Sequence, residues 1–593
     1  MKIDDPRALF RETIKKEFSF LKSDASFIDA ISKSISLPRN QGALLPIHYG
    51  LVNDDELIKT LAIWREENSF AYCVKFKVTF DGTRNWLKNQ VLDNDARILF
   101  LVIDRFGRRI GHVGLGDCMN DQCKIMVDNI LRGDKTHEKG IMAEAVLELC
   151  EWARKTFLPN EIYLKVLDDN HHAVEFYKKL GFIETGKLPL VREDRGAGYF
   201  AYLDAKESQK PDRYFVNMVI PERKGFKPEK TILTAGPLIG GREVFYVNDA
   251  ARNGWNEQWS GYLTRFEKKF AEYIGVKYAL ATSSGTGALH IALLALDIGP
   301  GDEVIIPDLT WVATGQAVNY VGAVPVFADV QKLTWCLDPD SFKKQITNKT
   351  KAVMPVHLYG HPSRMDEILP IAKKYGIKVV EDAAPSIGAE VNGKRTGSFG
   401  DFAMFSFQGA KLTVTGEGGI LLTNDDKLYE KARKIWDQGR RPGTFWIDEV
   451  GWKYKMSNVQ AALGLGQLEH VEQLVAAKRQ IFSWYEEFLS DCPYIELNRE
   501  AAWARSIYWM SSILLNADAP LNREELIRSL KDNKIDSRPV FPSMSLFDFW
   551  PKKQRSQENA FYIGNHGINL PSGVCLKREE VKYVCDTIKR LLS

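Results

Sequence analysis

The sequence predicts an α/β protein of two unlike parts, and three observations carry that prediction. The chain has 593 residues, more than one hydrophobic core supports, so three or four folding units of about 150 residues each are expected. Apolar periodicity stops at "VIPERKGFKPEKT" (219–231), a stretch rich in Lys, Pro and Gly that reads as a linker. Beyond it, short apolar runs such as "DEVIIP" (302–307), "KAVMPVH" (351–357) and "GIKVVEDA" (376–383) alternate with helical stretches. Such alternation implies a large α/β domain on a mainly parallel sheet with helices on both faces.

In chain order, residues 1–40 carry one or two amphipathic helices and are expected to form a helical extension. Residues 41–220 mix strand and helix patterns and make the first domain, 221–232 the linker, and 233–593 the second domain. From about residue 474 helical stretches such as "NREELIRSLKDN" (522–533) alternate with shorter strand-like pieces, as in a small C-terminal α+β subdomain.

Composition excludes several function classes. The 80 basic and 77 acidic residues give a formal charge of +3 without a long run of one sign, so no footprint for nucleic acid or a membrane surface exists and small-molecule partners are expected. The eight cysteines are scattered and form no C-x-x-C pair, which points away from a zinc site or a disulfide framework. The amino terminus lacks an apolar stretch of signal-peptide length. The most apolar segment, 278–296, is broken by "TSSGTG" and His290, which a membrane span tolerates poorly. A soluble, cytoplasmic protein without a metal is the expectation.

In the second half, Lys411 follows the apolar run 402–407 and precedes "TVTGEGG" (413–419), while Asp382 ends "VVED". A lysine on a loop behind a buried strand, with a carboxylate at the end of an earlier strand, is the arrangement pyridoxal phosphate requires. The amine forms a Schiff base and the carboxylate keeps the pyridine nitrogen protonated. Taken alone, such a lysine is more often a solvated surface charge. "SSGTGALHIALLAL" (283–296) is a Gly-rich turn entering an apolar helix, so Gly285 and Thr286 are candidates for holding the cofactor phosphate; a turn entering any core helix looks similar. In "PDLTWVAT" (307–314), Trp311 follows a strand where ligands of open α/β sheets bind, placed to stack on the pyridine ring or to sit in the core. "FSFQGAK" (405–411) adds the Ser406 hydroxyl for the phosphate.

These segments, with "PVHLYGHP", "VVEDAAPSIGA", "GSFGDFAMFSF", "TGEGG" and "MSNVQAALGLGQLE", make residues 235–593 resemble the DegT/DnrJ/EryC1/StrS family of nucleotide-sugar aminotransferases. The resemblance implies a fold-type I, aspartate-aminotransferase-like homodimer. It implies Lys411 as Schiff-base lysine, Asp382 at the pyridine nitrogen, Trp311 on the ring, and Gly285, Thr286 and Ser406 at the phosphate. "SRPVFPSM" (537–544) and "INLPSG" (568–573) look most like the perosamine-synthase branch, which aminates a GDP-linked 4-keto-6-deoxy sugar with glutamate as donor. Two positions depart from the pattern. Pro385 stands where many relatives have Gln. "GWKYKM" (451–456) replaces a "GYNYR"-like segment that reaches the neighbouring subunit's phosphate; there Lys453 could serve the anion as a point charge or remain a solvated loop lysine.

In the first half, "THEKGIMAEAVLELCEWARK" (136–155) reads as a helix beginning at "KGIM". Ala143, Val146, Leu147, Cys150 and Ala153 would make its apolar face, with Glu144, Glu148 and Glu151 opposite. Free amides at such a start can bind a pyrophosphate. Downstream, "EIYLKVLDDNHHAVEFYKKLGF" (161–182) reads as strand, Asn and amphipathic helix. This order resembles the GNAT acetyltransferase superfamily across residues 44–219. The resemblance implies that Lys139, Gly140, Met142 and Ala143 hold the acetyl-CoA pyrophosphate, with Asn170 and Tyr177 beside the thioester and Tyr177 as general acid; a packed aromatic is the alternative for Tyr177. His137 and Met142 depart from the superfamily pattern, and the methionine is expected to narrow the pyrophosphate loop. "WREEN" (64–68) and "RILFLVIDRFGRRIGHVGL" (97–115) look like the subgroup acting on amino sugars.

An aminotransferase makes the amine that such an acetyltransferase consumes. The combined reading is a bifunctional enzyme that aminates a keto-deoxy sugar nucleotide, best matched by GDP-4-keto-6-deoxymannose with glutamate, and then N-acetylates it with acetyl-CoA for an O-antigen or other surface polysaccharide. The alternative keeps only the aminotransferase, with the first domain a degenerate acyl-CoA-binding or scaffold module.

Overall fold

The computed structural model describes residues 6–23, 33–38, 41–134, 136, 140–196, 199–206, 208–221, 228, 230–441, 443–550 and 557–593. The chain divides into two compact units, residues 1–224 with 239–244, and residues 225–238 with 245–593. The main division thus falls inside the expected linker.

The first unit is built on a mostly antiparallel sheet. Its strands are β1 (Ile35–Ser36), β2 (Gly42–Pro46), β3 (Val74–Lys75), β4 (Ile98–Asp104), β5 (Arg109–Gly116), β6 (Lys124–Arg132), β7 (Glu161–Leu167), β8 (Ile183–Asp194), β9 (Phe200–Asp204) and β10 (Arg213–Val219), in the order β1-β2-β4-β5-β6-β7-β10-β8-β9-β3. Every residue of β4 is buried, because both faces of the sheet are covered. Ile98, Phe100 and Val102 enter one core, and Leu99, Leu101 and Ile103 the other.

The expected helical extension is part of this unit. In helix Pro6–Lys22, Phe10, Ile14, Phe18 and Leu21 form a stripe at helical spacing and join the core that holds Phe100, Val146 and Phe157. β6 and β7 are the one parallel pair among the described strands of this unit, and they pair only as Lys124↔Glu161, Ile125↔Ile162 and Met126↔Tyr163. Past Tyr163, β7 continues its pairing with β10 through Leu167, so β6 and β7 part there. The crossover that a parallel pair requires is the helix Ile141–Phe157.

The second unit holds β11 (Tyr278–Thr282), β12 (Glu303–Pro307), β13 (Val324–Ala328), β14 (Thr350–Val353), β15 (Lys378–Asp382), β16 (Glu390–Val391), β17 (Lys394–Arg395), β18 (Phe402–Ser406), β19 (Gly419–Thr423), β20 (Ile495–Leu497), β21 (Ala504–Arg505), β22 (Ser512–Leu515), β23 (Arg538–Pro539) and β24 (Gly567–Asn569). Its large sheet runs β11-β19-β18-β15-β14-β12-β13. Only β19 is reversed, antiparallel to both β11 and β18, and the other neighbours are parallel. The carboxyl ends of β11, β12, β15 and β18 therefore share one edge, the edge at which open α/β sheets bind ligands.

The smaller sheet, β20-β22-β24-β23, packs with the helices Val471–Leu489 and Arg578–Leu592 around Tyr485, Ile513 and Ile588. Ile232 belongs to this core and bridges to Ile535, so the expected linker of 221–232 ends before its last residue.

Candidate active site

The residues singled out in the second half gather at the shared carboxyl edge. After β11, Ser284 caps the helix Gly285–Ala295, its Oγ accepting from the Gly287 amide at 3.0 Å. The amides of Gly285 and Thr286 lie in the first helical turn and meet no acceptor among the described residues. A Cβ at Gly285 would lie 2.9 Å from Met404 Sδ and 3.1 Å from Ser406 Cβ. Glycine is thus what lets the helix start abut the end of β18 and brings the Ser406 hydroxyl beside the two amides. A Cβ on Gly419 would reach the Gly285 nitrogen at 2.6 Å, so a second glycine keeps the cradle clear. Free amides at a helix start of this kind can receive an anion.

Asp382 ends β15 and is buried. Thr314 Oγ1 donates to its Oδ2 at 2.7 Å and the Ala384 amide donates to Oδ1 at 3.2 Å. Burial pushes this carboxyl above its ordinary range, while Thr314, Ala384 and Lys411 pull it back. The Pro385 departure therefore leaves the carboxylate supported by a hydroxyl and an amide. Lys411 lies on the turn after β18, its amide donating to the Gln408 carbonyl at 2.8 Å. Its Nζ stands 3.9 Å from the centre of the Trp509 ring. Burial pushes the ε-amine down to about 8, against the pull of Asp382. Only the neutral amine attacks a carbonyl. The rate at which the unloaded protein captures an aldehyde at Lys411 is expected to climb with pH up to about 8 and then level off, which stopped-flow absorbance would follow. A rate still climbing at pH of about 10, where an ordinary lysine titrates, would contradict the burial.

Trp311 is 59% exposed rather than a core tryptophan. It meets Phe541 at 5.4 Å between ring centres, and Phe541 meets Tyr359 at 5.3 Å and Tyr359 meets Trp509 at 5.9 Å. One aromatic series thus links Trp311 to the lysine. Lys453 faces its own chain's Asp437 at 3.6 Å and its side chain is 60% exposed. Its neighbour Tyr454 touches the cradle directly, the Tyr454 carbonyl accepting from the Ser283 amide at 2.6 Å.

In the first unit, Gly140 has φ +98° and precedes the helix Ile141–Phe157, a left-handed backbone that suits glycine. Its carbonyl accepts from the amides of Ala143 and Glu144 at 2.9 and 3.2 Å. Met142 is buried in the core. The buried face of this helix is Met142, Ala145, Val146, Leu149, Cys150 and Ala153, while Ala143 and Leu147 are only partly buried; the apolar face is rotated from the one expected. Lys139 and His137 lie outside the described residues. Asn170 caps the helix His171–Lys179, its side chain accepting from the Ala173 amide at 3.3 Å. Tyr177 is buried between Phe176 and Phe182, 5.4 and 5.9 Å away between ring centres. Its hydroxyl has no hydrogen-bond partner among the described residues, and burial holds its pKa far above the usual phenol range. Such a phenol keeps its proton for donation.

Sequence reading missed Thr314, Trp509 and the Glu381–His357 pair. Thr314 lies one helical turn after Trp311, and Glu381 adjoins Asp382, so spacing carried a weak signal for both; nothing local marks Trp509. Among the described residues no group of side chains could hold a metal ion, and no helix is long and apolar enough to cross a membrane.

Comparison with known proteins matches both halves of the chain. Residues 237–589 match the DegT/DnrJ/EryC1/StrS aminotransferase family and residues 51–183 an acetyltransferase (GNAT) domain. The chain is 40% identical over 358 residues to the GDP-perosamine synthase of Escherichia coli O157:H7, covering 60% of this chain and 97% of that protein. It is 40% identical over 371 residues to the GDP-perosamine synthase of Caulobacter vibrioides, covering 61% and 98%. Among solved structures, the aminotransferase TlmJ from Streptoalloteichus hindustanus matches with a TM-score of 0.58 at 28% identity, covering 60% of this chain and 98% of that one.

Proposed function

This chain belongs to the DegT/DnrJ/EryC1/StrS aminotransferase family and carries a GNAT acetyltransferase domain ahead of the family region, and from that premise we propose that it aminates a nucleotide-linked keto-deoxy sugar and then N-acetylates the amine. The observation that carries the first step is the buried pair Lys411 and Asp382 at the sheet edge beside an amide cradle. These residues fit pyridoxal phosphate. The unpartnered amides of Gly285 and Thr286 with the Ser406 hydroxyl suit the phosphate, Asp382 suits a protonated ring nitrogen, and the exposed Trp311 face suits the ring. When bound, that cofactor supplies an electron-withdrawing ring that stabilises negative charge beside the transferred nitrogen.

Lys411 would hold the cofactor aldehyde through its ε-amine. Once freed by glutamate, the same amine would remove the proton from the glutamate Cα and later deliver one to the sugar carbon that receives nitrogen. Thr314 and the Ala384 amide favour the charged form of Asp382 against the burial that raises its carboxyl. Replacing Asp382 with Asn is expected to lower kcat by about 10²- to 10³-fold, as removal of one preorganised charge-stabilising group does. Steady-state assays on the folded variant check this.

Two relatives named GDP-perosamine synthase support GDP-4-keto-6-deoxymannose as the sugar and glutamate as the donor. The GNAT domain supports acetyl-CoA as the second co-substrate. There Gly140, Met142 and Ala143 offer backbone to the pyrophosphate, with Lys139 as a further candidate from the sequence, and Tyr177 and Asn170 flank the thioester. Joining the two activities raises the local concentration of the amino sugar. A cytoplasmic homodimer completes the proposal, and the exposed side chains of Phe445, Trp446, Ile447 and Val450 form an apolar loop that a second copy would cover. Incubation with glutamate, acetyl-CoA and GDP-4-keto-6-deoxymannose is expected to release CoA only when glutamate is present, with an N-acetylated sugar nucleotide found by mass spectrometry. Amination without any CoA release would reduce the first unit to a binding or scaffold module.

A further inference from the structure

The Lys411 ammonium has no hydrogen-bond acceptor among the described residues; what lies against it is the face of Trp509, 3.9 Å from Nζ to the ring centre. Trp509 is itself fixed on every side. Its indole Nε1–H donates to the carbonyl of Ala410, the residue next to the lysine, at 2.8 Å. Its own carbonyl accepts from the buried Lys478 Nζ at 2.8 Å. Tyr359 stacks on it at 5.9 Å with an 18° interplanar angle. Gly360, at φ +96°, approaches so closely that an added Cβ would sit 2.8 Å from the Trp509 backbone nitrogen. The indole comes from the segment leading into β22, whereas the lysine follows β18, so one side chain ties the lysine turn to the smaller subdomain.

We propose that Trp509 is a positioning residue for Lys411, its indole face seating the ε-amine whenever that amine is not covalently engaged and its N–H fixing the turn that carries it. The inference rests on the reading of Lys411 as the amine that alternates between holding an aldehyde and moving a proton. An amine that leaves its partner and must return to the same carbon needs a defined resting place, and a π face supplies one without a competing oxygen. The attraction is to the cation, so the seat favours the protonated amine and should be visible in titration.

Three proteins test it: wild type, Trp509→Phe and Trp509→Leu. The Lys411 titration is read in the unloaded protein by NMR of ¹³C-methylated lysines, assigned with Lys411→Arg. Capture of pyridoxal phosphate is read against pH. The Lys411 midpoint is expected to fall below the wild-type value in Trp509→Leu, equivalent to about a threefold to tenfold loss of protonated amine at fixed pH, and by less in Trp509→Phe. Single-turnover amino transfer from glutamate should slow by about tenfold in Trp509→Leu with little change in KM. Unmoved midpoints in both variants overturn the proposal, and if the leucine variant does not fold, an unmoved midpoint in Trp509→Phe together with an undiminished turnover rate does so. The NMR titration needs no cofactor, so a wild-type protein that titrates as expected but never captures the aldehyde would refute the proposed function and leave the seat standing.

Discussion

Lys411→Ala is expected to abolish amino transfer, lowering kcat by at least about 10⁴-fold, because in the proposed reaction one side chain would serve both as the nucleophile that holds the cofactor and as the base that moves the proton. The loss should not come from unfolding. Lys411 makes no side-chain hydrogen bond among the described residues and no ion pair at contact distance, so its truncation removes a buried amine that burial already disfavours. Lys411→Arg sharpens the test. Arginine keeps a cation near Trp509 but stays protonated at every accessible pH, so it should be as inactive as alanine. Borohydride reduction with pyridoxal phosphate followed by peptide mass spectrometry should label the wild-type peptide at Lys411 and neither variant. A Lys411→Ala protein that retained amino transfer within tenfold of wild type would end the assignment.

The second large effect is on stability. Glu381 is fully buried beside Asp382. Its carboxylate accepts from His357 Nε2–H at 3.0 Å and from the amides of Gly397, Phe399 and Gly400 at 2.9, 2.7 and 2.9 Å. The tautomer follows from the chemistry, because the Ser363 amide donates to His357 Nδ1 at 2.9 Å, which leaves the proton on Nε2. Burial alone would raise the Glu381 pKa, but His357 and the amides outweigh it and hold the carboxyl below its usual range. Glu381→Ala would leave three amides and an imidazole N–H without their acceptor, and a loss of about 3–5 kcal/mol in total is expected for the second unit, measured by urea unfolding. The loop so released, 397–400, feeds β18 and through it Ser406 and Lys411. The pH dependence has a definite sign. A carboxyl whose folded pKa is depressed contributes stability that is complete above its unfolded value of about 4.3 and is lost as pH falls through the folded one. The wild-type protein should therefore lose this contribution only in acid, and a loss under about 1 kcal/mol in the alanine variant would show the network to be slack.

Much of the second-half site was legible because its chemistry is local. A phosphate cradle needs glycine at a strand-to-helix turn, a ring-nitrogen partner needs a carboxylate at a strand end, and a covalent lysine needs a turn after another strand. Each requirement leaves a short signature, as at Gly285, Asp382 and Lys411. The first half was less legible. The apolar face of helix Ile141–Phe157 was misplaced by about one position, since the helix is buried beneath a second helix as well as the sheet, and a wide apolar stripe has no unique centre. The amino-terminal helix read as an appendage because its amphipathic pattern says that one face is covered but not by what.

The sequence by itself determined the two-part organisation, the family of the second part, and which residues are candidates for covalent and ionic chemistry, since these depend on residue type and short spacing. Tertiary structure alone decided that Trp509 lies under a lysine nearly a hundred positions earlier, that Thr314 supports Asp382, and that Glu381 is a hub of four donors. Those contacts join distant segments through the sheet's strand order, and no local pattern encodes which face of a side chain a remote segment will meet.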